Sequence, residues 1–557
     1  MAASVSSLFG RWWFHLLILL VGTAVSLPIN GYTFGIYDHA YHLARLQWLQ
    51  DPTLYNPRDP FLATLEVYPS VFWSALLPLS ALIPLPVLFL GLYYLSQCLF
   101  GYAMLRFARY VYGSELVAWC SFGAFLLMKV TSGLYEFPDG QFLPRTLVFP
   151  AVVFAFELFL RKHWALSFLV AGLMIQLHGL VAAHLLILLN AGLFWQIWKS
   201  GPKQTIVPFI CEIVSVLPAV VWRLQNPGDI PLLAADPTWV RIVKLALPTV
   251  QNILVIEPAV VFAHLSTLGF LLIFMIAQRH HPAAGDRQET LNLWVATVLC
   301  TILLSGIFTD VIPLAGIMQF EFIRIGMFLP FFALPSFSNY VIMAWQHREI
   351  PGPSCALLLL TAILTPFGSI TSLAALVNAL GRRFTIGLIV LCVCIITLSG
   401  YFFVFKHLTS PMWLTEPPNN SWVQTAQWAK ENTPGDAIFL TPTYLDTARY
   451  RAEFRLIAQR SVVVSRHEGD QVAFSYTFAL EWYQRMHDLS NGLYTLDAPL
   501  ANSDRITEQG FRSLSEEDLV ALARTYGASY LVLEADRQFS LPIKFKNSDF
   551  VIYAVPI

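Results

Sequence analysis

The chain has 557 residues, of which 56% are hydrophobic and only 12% charged; a soluble domain averages roughly 25% charged residues, so most of this length is excluded from facing water. Its 34 basic and 35 acidic residues nearly cancel, which excludes the basic face that nucleic acid requires. Cys98, Cys120, Cys211, Cys300, Cys355, Cys392 and Cys394 all lie in apolar runs; they read as small membrane-buried residues, not disulfides or metal ligands.

The first apolar run, Trp12 to Leu27, follows Arg11 and reads as a retained signal-anchor helix, with Trp12 and Trp13 at the interface. Runs that approach the roughly 20 residues of a bilayer span begin near residues 11, 67, 86, 115, 143, 164, 180, 203, 258, 291, 322, 355 and 385. Basic connections orient them. Arg161-Lys162-His163, Lys199 to Lys203, Gln278 to Arg287, Arg106 with Arg109, and Arg382-Arg383 are expected on the cytoplasmic side. Residues 29–66, 131–145, 223–257 and 309–321, with everything from about 406, then fall on the exoplasmic side. Parity requires residues 67–83 and 355–378 to dip in without crossing, which needs protein around their backbone. The expected architecture is an α-helical polytopic membrane domain over 1–405, with about 11–13 membrane segments, followed by a small exoplasmic α/β domain over 406–557.

The long first loop, 29–66, contains a helical stretch from Asp38 to Leu49: Leu43, Leu46 and Leu49 are apolar, and Asp38, His42 and Arg45 share the other face. Turn signals follow in DPTLYNPRDP. This reads as an amphipathic helix on the membrane surface, and 223–257 as a place for a second. In the tail, Ser421 is placed to cap a helix running to Asn432. Strand-like runs at 437–440, 461–465, 530–533 and 550–555 alternate with helical stretches near 472–488 and 515–526. That alternation predicts a small α/β domain.

Ionisable groups at membrane depth are costly and are functional candidates by default. The orientation gathers several on one face. Asp38 and His39, in Gly35-Ile36-Tyr37-Asp38-His39, offer a carboxylate as general base with His39 or His42 beside it; Asp38 also suits an N-cap. Glu136, Asp139 and Arg145 lie in YEFPDGQFLPR. Arg145 either grips a phosphate or pairs internally with one of the two acids. His178 ends a span at the same face, and His184 points elsewhere. Gln319, Glu321 and Arg324 open another span in MQFEFIRIGMF; Arg324 pairs with Glu321 or with an anionic headgroup. No Walker loop, GxGxxG, HExxH or paired CxxC is present, so a soluble nucleotide-driven mechanism is not expected; no cofactor is expected, with a divalent metal as an alternative that the sequence does not support.

The layout resembles the GT-C class of membrane glycosyltransferases. SWVQTAQWAKENTPGDAIFLTP is similar to the start of the tail in bacterial members, and PRTLVFP and LMIQLHG are similar to their membrane segments. The resemblance implies an inverting transferase that takes a sugar from a polyprenyl-phosphate carrier on the exoplasmic face. It implies a bacterial inner membrane location, Asp38 as base, and Arg324 and Arg145 on the carrier phosphate. Many members carry two adjacent acids in the first loop where this chain has Asp38-His39, which favours a metal-independent route. The rival readings are a transporter, which predicts broken helices and an inverted repeat, and a lipid-binding or envelope-complex subunit without chemistry.

Overall fold

The computed structural model describes residues 12–66, 70–127, 130–132, 135–137, 139–231, 233, 235–248, 258–364, 413–445, 450–497 and 503–556. The expected last span near 385, the pair Arg382-Arg383 and most of 355–378 lie outside them.

The protein is an integral membrane protein built on a helical bundle. In chain order the bundle comprises α1 (Trp12–Asn30), the first-loop helices α2 (His39–Gln50) and α3 (Pro60–Thr64), then α4 (Phe72–Ser80), α5 (Leu85–Tyr112), α6 (Glu115–Leu127), α7 (Pro144–Leu160), α8 (Trp164–Ile175), α9 (Gly179–Ser200) and α10 (Ile206–Gln225). It continues with α11 (Pro237–Ala246), α12 (Pro258–His280), α13 (Asp286–Gly306), α14 (Ala315–Phe320), α15 (Leu329–Gln346) and α16 (Gly352–Leu364). Among the described residues, six helical stretches are long and apolar enough to cross a membrane: 12–30, 85–112, 179–200, 202–225, 286–311 and 315–346. Others of the expected segments are shorter. α4 has 9 residues, or about 14 Å at 1.5 Å per residue, against a hydrocarbon core of about 30 Å. The bundle core is aromatic and tightly packed: Phe156 and Phe332 flank Trp294 at ring-centroid distances of 4.8 and 5.6 Å.

One end of the bundle collects the basic residues. Arg106 and Arg161 share Glu157, at 3.0 and 2.7 Å, Lys162 meets Asp286 at 3.1 Å, and Lys199 meets Glu289. The other end carries the first loop and the tail.

The tail folds as α17 (Ser421–Asn432), α18 (Phe454–Ala458), α19 (Tyr476–Leu489), α20 (Ser503–Ser513) and α21 (Glu516–Thr525) around a five-stranded mixed sheet. With β1 (Tyr32–Thr33), β2 (Val130–Ser132), β3 (Tyr135–Phe137) and β4 (Trp413–Leu414) counted first, the sheet strands are β5 (Ile438–Leu440), β6 (Ser461–Val462), β7 (Tyr530–Glu534), β8 (Ile543–Lys546) and β9 (Phe550–Ala554). Their order is β6-β5-β7-β9-β8. The first three run parallel, and β9 pairs antiparallel with both β7 and β8. β8 was not foreseen: Ile543 to Lys546 is an exposed, charged edge strand, and such composition is how edges resist pairing. The cap of α17 is Asn420, whose side chain accepts from Val423 N, one residue before the expected Ser421.

The tail does not hang free. β1 pairs in parallel with β4. Tyr55 N donates to Gly435 O (3.1 Å), and Gln47 Nε2 to Leu456 O (3.2 Å). Asp229 accepts from Ser475 Oγ and from the backbone N–H groups of Tyr476 and Thr477, so it caps α19 from another loop. A single core cluster unites Tyr55 and Phe61 of the first loop, Trp239 and Val243 of α11, and Val472 and Trp482 of the tail.

Candidate active site

A cavity of about 510 Å³ opens where the first loop, the bundle and the tail meet, within the range usual for ligand pockets. Asp38, His42, Arg145, His178, Gln319, Glu321 and Arg324 all line it. The fold thus brings together candidates that lie far apart in sequence.

Asp38 occupies the N-cap position of α2, yet its side chain makes no capping bond. Its Oδ2 takes Arg145 Nη1 at 2.6 Å, and Arg145 Nε holds Asp139 Oδ2 at 2.5 Å. One guanidinium therefore bridges two carboxylates. Burial acts to raise the Asp38 pKa, but the Arg145 charge outweighs it and holds the carboxyl well below its usual range. Tyr37, just before, has φ 53°. A tyrosine held there is strained, which is common where a site residue must be aimed.

His39 departs from its expected role. It is fully buried and lies outside the cavity lining. Gly35 N donates to its Nδ1 (3.1 Å), so its Nε2 carries the proton and donates to Phe142 O (2.9 Å). Burial lowers its pKa to about 4. His39 is a neutral clamp between the first loop and the segment before α7. His42, one turn on, reaches the cavity and stacks on Trp73 at 4.8 Å.

His178 is the N-cap of α9, its Nδ1 accepting from Val181 N. His184 is buried against the Phe322 ring and does not line the cavity. Glu321 Oε2 pairs with Arg324 Nε at 2.6 Å, and Glu321 has φ 45°, a second strained residue at the site. Glu136 lies on β3, opposite Thr131.

Sequence reasoning did not single out Arg223 or Asp470, and it read Arg45, a third charged group on the cavity lining, only as part of a helix face. Arg223, in the last turn of α10, lines the cavity and makes no ion pair among the described residues. Asp470, in the short helical turn His467–Gln471 of the tail, lines it from above. Arg223 had a signal, a basic residue ending an apolar run. Asp470 had none, because an acid in a soluble segment is ordinary.

The remaining wall is apolar. Ile175, Leu180, Ala183, Val216, Ala219 and Val220 come from α8, α9 and α10. α8 and α10 lie close because Gly172 faces Ser215, where any Cβ would collide with the serine side chain. The outer face of α10 is bare, with Ile213, Val214, Leu217 and Leu224 exposed, as suits contact with lipid.

Residues 420–489 match the family model "Domain of unknown function (DUF6798)". No curated protein matches the chain. Among solved structures, the chain is similar to ArnT from Cupriavidus metallidurans in the apo state, at 13% identity and a TM-score of 0.45, covering 100% of this chain and 99% of that one. The same protein bound to undecaprenyl phosphate gives 13% identity, a TM-score of 0.41 and 97% coverage of both chains.

Proposed function

We propose that this protein is a membrane glycosyltransferase that moves a sugar from a polyprenyl-phosphate carrier to an acceptor hydroxyl, at the exoplasmic end of the bundle. The observation that carries the reading is the cavity itself. It joins an apolar wall on lipid-facing α10 to a polar end holding Arg145, Arg223, Arg324 and Asp38, the chemistry that a lipid chain with a phosphate head requires.

In this reading the prenyl chain lies along α8 and α10. Arg223 and Arg324 meet the phosphate and offset the charge that grows on it as the leaving group. Asp38, ionised and fixed by Arg145, faces the anomeric carbon, where positive charge develops in the transition state. Arg145 positions Asp38 and does not bind phosphate. Gln319, His42 and His178 are placed to hydrogen-bond the sugar or acceptor. The tail covers the site.

The test uses purified protein in nanodiscs. Undecaprenyl phosphate should bind saturably and in preference to undecaprenol and phosphatidylglycerol. A panel of undecaprenyl-phosphate-linked sugars should include one from which wild type releases the free carrier and Asp38→Asn does not, with carrier binding retained. A cysteine at Asn491 should be labelled from outside the cell. No preference for the phosphorylated lipid would sink the carrier reading, and binding without release from any donor would leave a lipid-binding protein.

A further inference from the structure

The segment that matches a domain family of unknown function sends one carboxyl into the membrane cavity. We propose that Asp470 of this segment is a catalytic residue, the group that receives the acceptor proton, while Asp38 stays ionised throughout. This rests on the carrier reading above and adds the role of the tail to it.

Three observations support the assignment. The first is availability. Asp38 is committed to Arg145 and Glu321 to Arg324. Among the described residues, the Asp470 carboxyl makes no hydrogen bond or ion pair, and it lines the same cavity. A base needs a free lone pair within reach of the proton it takes.

The second is electrostatic. Burial, and next the charge of Asp38, raise the Asp470 pKa to about 7; Glu321 adds to the rise, and Arg324 and Arg145 oppose it. A base is most effective when its pKa lies near the working pH. Two further cations, Arg45 and Arg223, line the cavity, and the Arg466 guanidinium, four residues earlier, also interacts with the Asp470 charge. His42 and His178 share the cavity. On the turn itself, burial lowers His467 to about 4, and Glu468 pairs with Arg455. On the packed helices α11 and α19, Arg241 pairs with Asp497, Lys244 with Asp310 and Arg485 with Glu481.

The third is mechanical. The turn bearing Asp470 is clamped on both sides. Glu468 is bound by Arg455, which also holds Asp59 of the first loop. Trp239 Nε1 of α11 donates to Val472 O at 2.9 Å. Gly469 lies flat against Trp482, where an added Cβ would sit 2.7 Å from the ring.

The step balances. The acceptor O–H bond breaks and its proton goes to Asp470. The acceptor oxygen bonds the anomeric carbon. The carbon–oxygen bond to the carrier breaks, and its electron pair leaves with the phosphate. The leaving monoester carries more negative charge than the diester donor, and Asp470, neutral once protonated, stops repelling it. Later loss of that proton favours release.

The test measures undecaprenyl phosphate affinity in nanodiscs at about pH 6 and about pH 8, since the ordinary phosphate second pKa is about 6. Wild type should weaken with rising pH by about tenfold more than Asp470→Asn, the effect of one added charge near the phosphate. Asp470→Glu should restore the pH dependence, so a poorly folded Asn variant does not decide the matter. Asp38→Asn removes a charge that raises the Asp470 pKa, so its pH dependence should move to lower pH. Parallel curves for wild type and both Asp470 variants would overturn the assignment with the carrier reading intact. A wild type that binds no carrier at either pH fails the carrier reading and this one together. On a donor that turns over, Asp470→Asn should lose at least about 100-fold, the lower end for a general base; turnover near that of wild type would also overturn the assignment.

Discussion

Replacing Arg455 with Met should undock the tail from the first loop. The side chain is 6% exposed and sits between Asp59 (2%) and Glu468 (7%). It gives Glu468 Oε1 two donors, at 3.1 and 2.6 Å, and Val462 O one at 3.3 Å. It also lies 4.6 Å from the centre of the Phe61 ring. Removing it leaves two carboxylates buried without their cation. Breaking a buried ion pair from one side costs about 3–5 kcal/mol. At about 2–4 °C per kcal/mol for a domain of 150–250 residues, the tail should melt roughly 10 °C lower. Without the cation the Glu468 carboxyl, pushed up by burial, would fold protonated, so the loss should shrink as pH falls toward 5 (sign: folded pKa raised, stability recovered on the acid side). The triple change Asp59→Asn, Arg455→Met, Glu468→Gln should recover most of it. Thermal unfolding in detergent and hydrogen exchange at residues 53–62 and 454–468 are the assays. An Arg455→Met protein that melts within about 2 °C of wild type, with unchanged exchange, would refute the claim that this triad joins the two parts.

Two further outcomes follow from the same geometry. Arg324→Leu should weaken undecaprenyl phosphate binding by about 10- to 150-fold, the loss of one charge-assisted contact; Glu321→Leu with Arg324→Leu should restore folding but not affinity, and wild-type affinity in that double variant would remove Arg324 from the site. His39→Asn should reduce acid sensitivity. The folded pKa of His39 is depressed to about 4 from 6.5, so its stabilisation is full above 6.5 and is lost as pH falls toward 4, by about 3 kcal/mol in all. Denaturant titrations at neutral and mildly acid pH should converge for the variant and diverge for wild type, and identical pH slopes would refute the clamp.

Some of this was legible in the chain itself. The membrane bundle and the α/β tail followed from apolar run length and from alternating strand and helix patterns, because both are local and repeat within each element. The grouping of Asp38, Arg145, His178, Glu321 and Arg324 at one end followed from counting spans between basic loops, because each crossing reverses the side of the membrane. Which of those groups touch was decided only by the tertiary structure. Sequence left Arg145 open to either a phosphate or an internal acid, and the packing of α7 against the first loop gave it to Asp38 and Asp139. His39 and Asp38 are neighbours in the chain, yet the strained turn at Tyr37 sends one ring inward and the carboxylate to the cavity. Asp470 had no sequence signal, since its character comes from burial and from charges contributed by three distant segments. Local pattern sets what each element is; contacts between distant elements set what each side chain in the cavity can do.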